Sequence, residues 1–371
     1  MKVPCTIMRG GTSKGIILRA DALPADPQAR DNIILKIFGS PDRRQIDGLA
    51  GADPLTSKLA LIGPPSRPDA DIDYTFADVL IDQPVVDYSG YCGNVTSAVA
   101  AYAVDEGFVA ATEPRTFVRI HNTNTRRIIK AEVMVKDGRA ADEGNVELAG
   151  VPGTAAPIHL DFADTAGSIS GKLLPAGVTV QLQGTKPVTA TILDVGNPLV
   201  FVHAEDFGVS TGHSVDEINA CGDVLELLDR IRVQGAEYLG LLKNGKATSA
   251  SVPSVALVAA PAGYKAFGSG EPISPESMDF WCREIFMGSV HKAIGVSETV
   301  CAAVAALIQG SVVHDVARRG TGANGTVRLG HPSGVIEAQV EVDTTSETPT
   351  LRKVSVVRTA RRIMDGHVYV R

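Results

Sequence analysis

Apolar positions recur with strand periodicity along most of this chain and with helical periodicity in only a few places. Residues 3–11 (VPCTIMRGG) read as a strand running into a Gly-Gly turn, and Ile16-Ile17-Leu18 restarts a strand beyond it. Residues 27–38 carry a helical pattern that Gly39 closes, and a turn-rich stretch follows over 47–54. The run Ser57-Lys58-Leu59-Ala60-Leu61-Ile62 predicts an apolar strand with one charge in it, and 73–88 alternates as strands do. After Cys92-Gly93-Asn94-Val95, the Ala-rich run TSAVAAYAVDEG predicts a helix stopped at Gly107. Strand patterns return at 116–121 and 128–135.

The stretch 151–185 is rich in Gly, Pro and Ala and reads as a linker or irregular crossing, which places a domain boundary near 185. The second half opens with VTATILDV, the turn Gly196-Asn197-Pro198 and LVFVHA. Helices are expected over 214–235 and 274–292, and strands over 253–259, 325–329, 334–342 and 352–358. The expectation is an α+β fold of two β-rich domains, 1–185 and 186–364, with a final strand near 365–371 as a candidate to return to the first.

Composition narrows the function classes. The 371 residues exceed one ordinary core, and 44% are apolar. A formal net charge of −7 supplies no basic field for nucleic acid or an anionic membrane. No run of eighteen apolar residues or apolar leader appears, so neither a membrane span nor a secretory signal is expected. The five cysteines are widely spaced without a CxxC pair, which argues against a disulfide framework or structural zinc and for a reducing cytoplasm. The histidines form no HxH or HExxH, so no metal is expected. No GxGxxG follows a strand and opens a helix, so no nicotinamide cofactor is expected either.

A weak internal repeat is the most informative feature. Cys92-Gly93-Asn94-Val95-Thr96-Ser97-Ala98-Val99-Ala100-Ala101 lies on Ser297-Glu298-Thr299-Val300-Cys301-Ala302-Ala303-Val304-Ala305-Ala306, with Val at the fourth place and Ala-Val-Ala-Ala at the end. Each copy puts a nucleophilic or polar residue in a turn before a small-residue helix. Exposed backbone N–H groups at such a helix start, aided by the helix dipole, make an anion site. A helix of Ala and Val is also slim enough to be threaded inside a β-layer.

The strings MRGGTSKG, IDGLAGADPLTSKLALI, CGN before an Ala-rich helix, HKAI near 291, GHPSG near 330 and VRTARRIMDGHVYV together resemble the PrpF and methylitaconate isomerase family, from the first residues to the last. Within it, RQIDGLAGADPLTSKLALIG, PDADIDYTFA and HNTNT look most like the methylitaconate isomerases. The resemblance implies a diaminopimelate epimerase-like fold, with two similar β-rich domains each wrapped around a central helix and the active site between them. It also implies cofactor-free allylic isomerisation of a small unsaturated di- or tricarboxylic acid: methylitaconate, 2-methylaconitate, aconitate or 4-oxalomesaconate.

Candidate chemistry follows from both sources. Epimerases of this fold use two cysteines as acid and base. Here Cys92 takes the first place and the repeat puts Ser297 at the second, and a hydroxyl is too weak a base for a C–H bond without an activator. Lys58 sits alone on an apolar strand, and the pattern by itself allows it to face solvent or a pocket. The resemblance implies that the lysine of TSK is the base, with Cys92 as a second acid or a neighbour of the substrate. A partly dry pocket near helix starts would favour the neutral amine.

Thr12 and Ser13 in the GGTSKG turn, Gly93 and Asn94 at the helix start, Ser57 beside the lysine, and Lys292, Ser297 and Thr299 in the second half are the candidate substrate contacts. Glu298 departs from the small residue usual there, and a carboxylate sits oddly at an anion site. The expected partner is the small unsaturated acid, in a chain compatible with a homodimer or homotetramer. Two rival readings remain, an epimerase of the same fold and a non-catalytic organic-acid-binding protein.

Overall fold

The structure, a computed structural model, describes residues 1–318, 324–346 and 349–371. It divides into two compact units. The first holds Met1–Leu160 and Val357–Arg371, and the second holds Asp161–Val356.

In the first unit, β1 (Lys2–Gly10) pairs antiparallel with β2 (Ser13–Arg19), and α1 (Pro27–Phe38) follows. Asp26 caps α1 by accepting from the Ala29 amide at 2.8 Å, and Gly39 ends it in the left-handed region at φ 83°. β3 (Lys58–Gly63) runs parallel to β2 and antiparallel to β4 (Ile72–Val79). α2 (Gly93–Asp105) comes next, then β5 (Arg115–Asn122), parallel to β4, and its antiparallel neighbour β6 (Arg127–Lys136). The final strand, Ala360–Tyr369, closes on β1 in antiparallel register, so the C-terminus returns to the first unit.

β3 is buried on both faces because both are covered. Leu59, Leu61, Ala77 and Val79 join Ile34, Ile37 and Phe38 of α1 in one core cluster. Alternation turns Lys58, Tyr74, Phe76 and Asp78 to the other face. On the inner side, α2 is buried from Gly93 to Val104 and packs against β1, β2, β3, β5, β6 and the final strand. Its small side chains permit that approach. A Cβ on Gly10 would stand 2.2 Å from the Asn94 carbonyl oxygen, a space only glycine leaves.

The second unit repeats the plan. β7 (Val180–Gln183), β8 (Pro187–Leu193) and β9 (Leu199–His203) form an antiparallel run. Next come α3 (Val215–Asn219), α4 (Gly222–Tyr238) and β10 (Ser254–Ala259), which is parallel to β9. β11 (Phe280–Phe286) pairs antiparallel with β10. After α5 (Val296–Leu307), β12 (Asn324–His331), β13 (Gly334–Asp343) and β14 (Thr350–Arg358) complete the set, with the last two residues of β14 already in the first unit. α5 is buried at every position and packs against β8, β9, β12 and β13. Each unit is thus a β-layer around a central small-residue helix. Among the described residues, no helix is long and apolar enough to cross a membrane.

Three expectations are corrected. The division falls at Leu160 and Asp161, not near 185, and 151–185 is not a linker. Val151–Ala155 pairs with Val146–Leu148. Beyond Asp161, Asp194 binds the chain to the second unit, its Oδ2 accepting from the Ile169 amide at 3.1 Å and the Ser170 amide at 2.6 Å.

The helix expected over 274–292 is strand β11, preceded by a single 3₁₀ turn at Pro275–Ser277. Its FWCREIF sequence is aromatic and β-branched, and it is buried on both faces with Arg283 and Glu284 included. The helix expected over 214–235 is two. Ser214 and Glu217 form a capping box that starts α3, and the chain turns at Ala220 and Cys221 before α4.

Candidate active site

Lys58 and Asp78 lie opposite each other on β3 and β4, on the face turned to α2. Lys58 Nζ donates to Asp78 Oδ1 at 2.8 Å, and the ammonium lies 5.3 Å from the Phe76 ring centroid. Both residues are buried, at 5% and 8% exposure. Burial pushes the Asp78 carboxyl above its ordinary range against the pull of Lys58. In a dry site of this kind the pair is favoured to hold one proton and no net charge.

Cys92 is the N-cap of α2 and is buried, with Sγ 3.9 Å from Ser13 Oγ. Tyr74 connects the two parts of the site. Its wholly buried hydroxyl is pushed well above its ordinary pKa by desolvation, with further contributions from Cys92 and Asp78, so it stays protonated within electrostatic reach of both. Thr12 Oγ1 accepts from Asn94 Nδ2 at 3.0 Å, which fastens the GGTSKG turn over the helix start. Arg9 braces that turn from behind, donating to the Gly11 carbonyl at 3.1 Å and the Thr359 carbonyl at 2.9 Å.

The structure adds two residues that sequence reasoning missed. One is Asp78, an acid within an alternating apolar strand. The other is Arg358, in the VRTARR string. Its guanidinium is buried, and Nη1 donates to the Val357 carbonyl at 2.7 Å while Nε has no hydrogen-bond partner. Burial lowers its pKa to about 10, and Cys92 acts in the opposite direction. A Cβ on Gly11 would stand 3.1 Å from Arg358 Cδ, so this cation lies against the same turn as Thr12 and Asn94. Among the described residues no carboxylate pairs with it. A buried guanidinium in that state is a ready receptor for a ligand carboxylate.

Of the remaining first-unit candidates, Gly93 is the first residue of α2 and offers its backbone N–H. Ser57 faces away from the site. Its hydroxyl accepts from Gln45 Nε2 at 2.9 Å and donates to the Val79 carbonyl at 2.7 Å, as alternation beside Lys58 requires.

In the second unit, Thr299 is committed to its own helix, its hydroxyl donating to the Gly295 carbonyl at 2.8 Å. Ser297 is buried and donates to Glu298 Oε2 at 2.8 Å, while Asn197 Nδ2 donates to Glu298 Oε1 at 2.8 Å. Lys292 is exposed ahead of α5, and its carbonyl accepts from Ser333 Oγ at 2.5 Å.

The repeat is real, but its register differs by two residues from the sequence pairing. The Thr96 hydroxyl donates to the Cys92 carbonyl as that of Thr299 does to Gly295. Gly10 closes on the carbonyl of Asn94 as Gly196 does on that of Ser297. The N-cap counterpart of Cys92 is therefore Gly295, and Ser297 matches Asn94. The second thiol is replaced by no side chain at all. The Glu298 carboxylate fills the vacated space, with Oε2 1.8 Å from where a Gly295 Cβ would be. That explains the acid at this place: it replaces a missing N-cap side chain. Among the described residues, no cluster of three or more His, Cys, Asp or Glu could hold a metal ion.

Comparison with known proteins identifies the family. A family model described as PrpF protein matches residues 1–371. The chain is 48% identical to 3-methylitaconate isomerase of Eubacterium barkeri, over 100% of this chain and 97% of that one. It is 40% identical to (4E)-oxalomesaconate Delta-isomerase of a Novosphingobium strain, over 99% and 97%. Among solved structures, methylitaconate-delta-isomerase superposes with a TM-score of 0.82 at 48% identity, covering 100% of this chain and 96% of that one. A hydroxyproline epimerase from Agrobacterium vitis shares the fold with a TM-score of 0.58 at 12% identity, over 99% and 92%. The chain belongs to the PrpF protein family.

Proposed function

We propose that this chain is an isomerase that moves an allylic proton, and with it a carbon–carbon double bond, within a small unsaturated di- or tricarboxylic acid. Methylitaconate and oxalomesaconate, named for its relatives, are the model substrates. The chemistry rests on the chain's own side chains, with Lys58 as the base.

The carboxylate next to the reacting carbon is held by Arg358 and by the backbone N–H groups at the start of α2, with Thr12, Ser13 and Asn94 framing it. In the competent state Asp78 carries the pair's proton and Lys58 is a neutral amine. Lys58 Nζ takes the allylic proton as the C–H bond breaks. The electron pair passes into the conjugated carboxylate, giving a dienolate whose charge falls on the same cationic and N–H groups. The ammonium then returns its proton to the far carbon of the allyl system, and the double bond has moved. Asp78 orients Nζ by hydrogen bonding, and the dienolate's negative charge balances the transient ammonium. Cys92 lines the binding end of the site.

The buried Lys58–Asp78 pair carries this reading, because an amine and an acid that share a proton in a dry site can accept and return one without solvent. An epimerase of this fold needs two opposed thiols, and the counterpart of Cys92 is Gly295.

Reaction of a panel of unsaturated acids in deuterated water tests the reading. An isomerase exchanges an allylic proton and shifts the double bond. Exchange confined to a stereocentre, or no exchange with any acid, would refute it.

A further inference from the structure

Arg283 lies on β11, 3% exposed, in a part of the second unit that the isomerase chemistry does not use. Its guanidinium carbon is 4.2 Å from the Trp281 ring centroid and 4.5 Å from that of Tyr264. Tyr264 is fixed in place, its one hydroxyl proton shared between the His331 carbonyl at 2.6 Å and the Gly334 carbonyl at 2.7 Å. Arg283 Nη1 donates to the Cys282 carbonyl at 2.8 Å and the Gly330 carbonyl at 3.3 Å.

A guanidinium has five N–H donors on three nitrogens, so the backbone engages only part of the fork. Among the described residues, no carboxylate pairs with this charge, and burial pushes its pKa down to about 10. An uncompensated buried cation is costly unless something anionic meets it.

Arg283 lines a cavity of about 620 Å³ within the same unit. Val215, Phe267, Ile273 and Pro332 give it apolar walls, and Lys265 and His213 contribute the other basic side chains. Its described lining contains no acid, although the whole chain carries −7. Apolar walls around a few fixed polar groups are the usual form of a small-molecule site.

We propose that this cavity is a second binding site, for a small organic monoanion with a flat apolar body. The carboxylate sits on the open edge of the Arg283 guanidinium, with Lys265 adding positive potential, and the body packs on Tyr264, Phe267 and Pro332. This inference does not rest on the isomerase reading, because none of these residues belongs to the Lys58 site.

Trp281 is the only tryptophan in the chain and touches Arg283, so its fluorescence reports on the cavity. Benzoate, added to the full chain at constant ionic strength, is expected to change Trp281 emission saturably. Benzamide, of the same shape without the charge, is expected to leave it unchanged. Arg283→Met should abolish the response, and Phe267→Ala should weaken the affinity about threefold to tenfold. Lys58→Met should leave the response as in the wild type, which separates this cavity from the first unit's site. The proposal is overturned by no saturable response to benzoate, by an equal response to benzamide, by loss of the response in Lys58→Met, or by an unchanged response in a folded Arg283→Met. If Arg283→Met does not fold, Phe267→Ala decides, and unchanged affinity there overturns the proposal.

Discussion

Lys58 and Asp78 face each other across two antiparallel strands, Nζ to Oδ1 at 2.8 Å, both buried and both turned toward the central helix of their unit. The strand lysine thus has an acid to share its proton with, and in the proposed mechanism the pair, more than the amine alone, is the unit of proton transfer.

Asp78→Asn keeps the shape and removes the proton-sharing acid. We expect kcat to fall about tenfold to a hundredfold, with a changed pH profile and little change in KM. Equal pH profiles for the variant and the wild type would show that Asp78 only fills space.

The same acid makes a prediction about stability. The Asp78 carboxyl is raised in the folded state, so folding favours its protonated form. Its contribution is fully present below the pKa of the unfolded chain and is lost as pH rises through the higher folded value. The thermal stability of the wild type relative to Asp78→Asn should therefore decline from acidic toward neutral pH. A relative gain by the wild type over that range would contradict the assignment.

Arg358 is expected to act through binding. Arg358→Met removes a charge-assisted fork from the substrate carboxylate and should raise KM about tenfold to a hundredfold, with a smaller effect on kcat. Arg358→Lys should recover part of the loss, since it restores charge without the planar fork. An unchanged KM in both variants would remove Arg358 from the site.

Cys92→Ser tests the one-thiol arrangement. Because Gly295 stands where a second thiol would be, we expect turnover to fall by less than about tenfold, well short of the loss from removing a general base. Abolished turnover in a folded variant would return Cys92 to a catalytic role.

The central helices give a prediction for the fold. Gly10→Ala would put a Cβ 2.2 Å from the Asn94 carbonyl oxygen, and Gly196→Ala would put one 2.3 Å from that of Ser297, at a positive φ of 64°. Each should cost about 1–3 kcal/mol or more, read from denaturant unfolding. Wild-type stability in either variant would mean that the helix is not seated as described.

Much of this was legible in the sequence because local signals carried it. The helix at 27–38 has an Asp cap and a Gly stop, and the first unit's central helix has an Ala-rich run after Cys-Gly-Asn. Lys58 stood out as the one charge in an apolar strand. What escaped notice depends on pairing between distant residues. Asp78 gains its meaning only from the register that sets it opposite Lys58, and Arg358 reaches the turn at Gly11 from the far end of the chain. Reading 274–292 as a helix hid the alternation that places Trp281 and Arg283 on one face of β11. The two-residue slip in the repeat had a similar cause. Val and Ala matches fixed the sequence pairing, while the threonine and glycine contacts that set the true register exist only in three dimensions.

The most direct test of the Lys58 mechanism is deuterium incorporation from solvent into methylitaconate by the wild type and by Lys58→Met, with folding checked by circular dichroism. The wild type should exchange the allylic position and shift the double bond, and Lys58→Met should lose both by about a thousandfold or more. Allylic exchange at the wild-type rate in folded Lys58→Met would contradict the account.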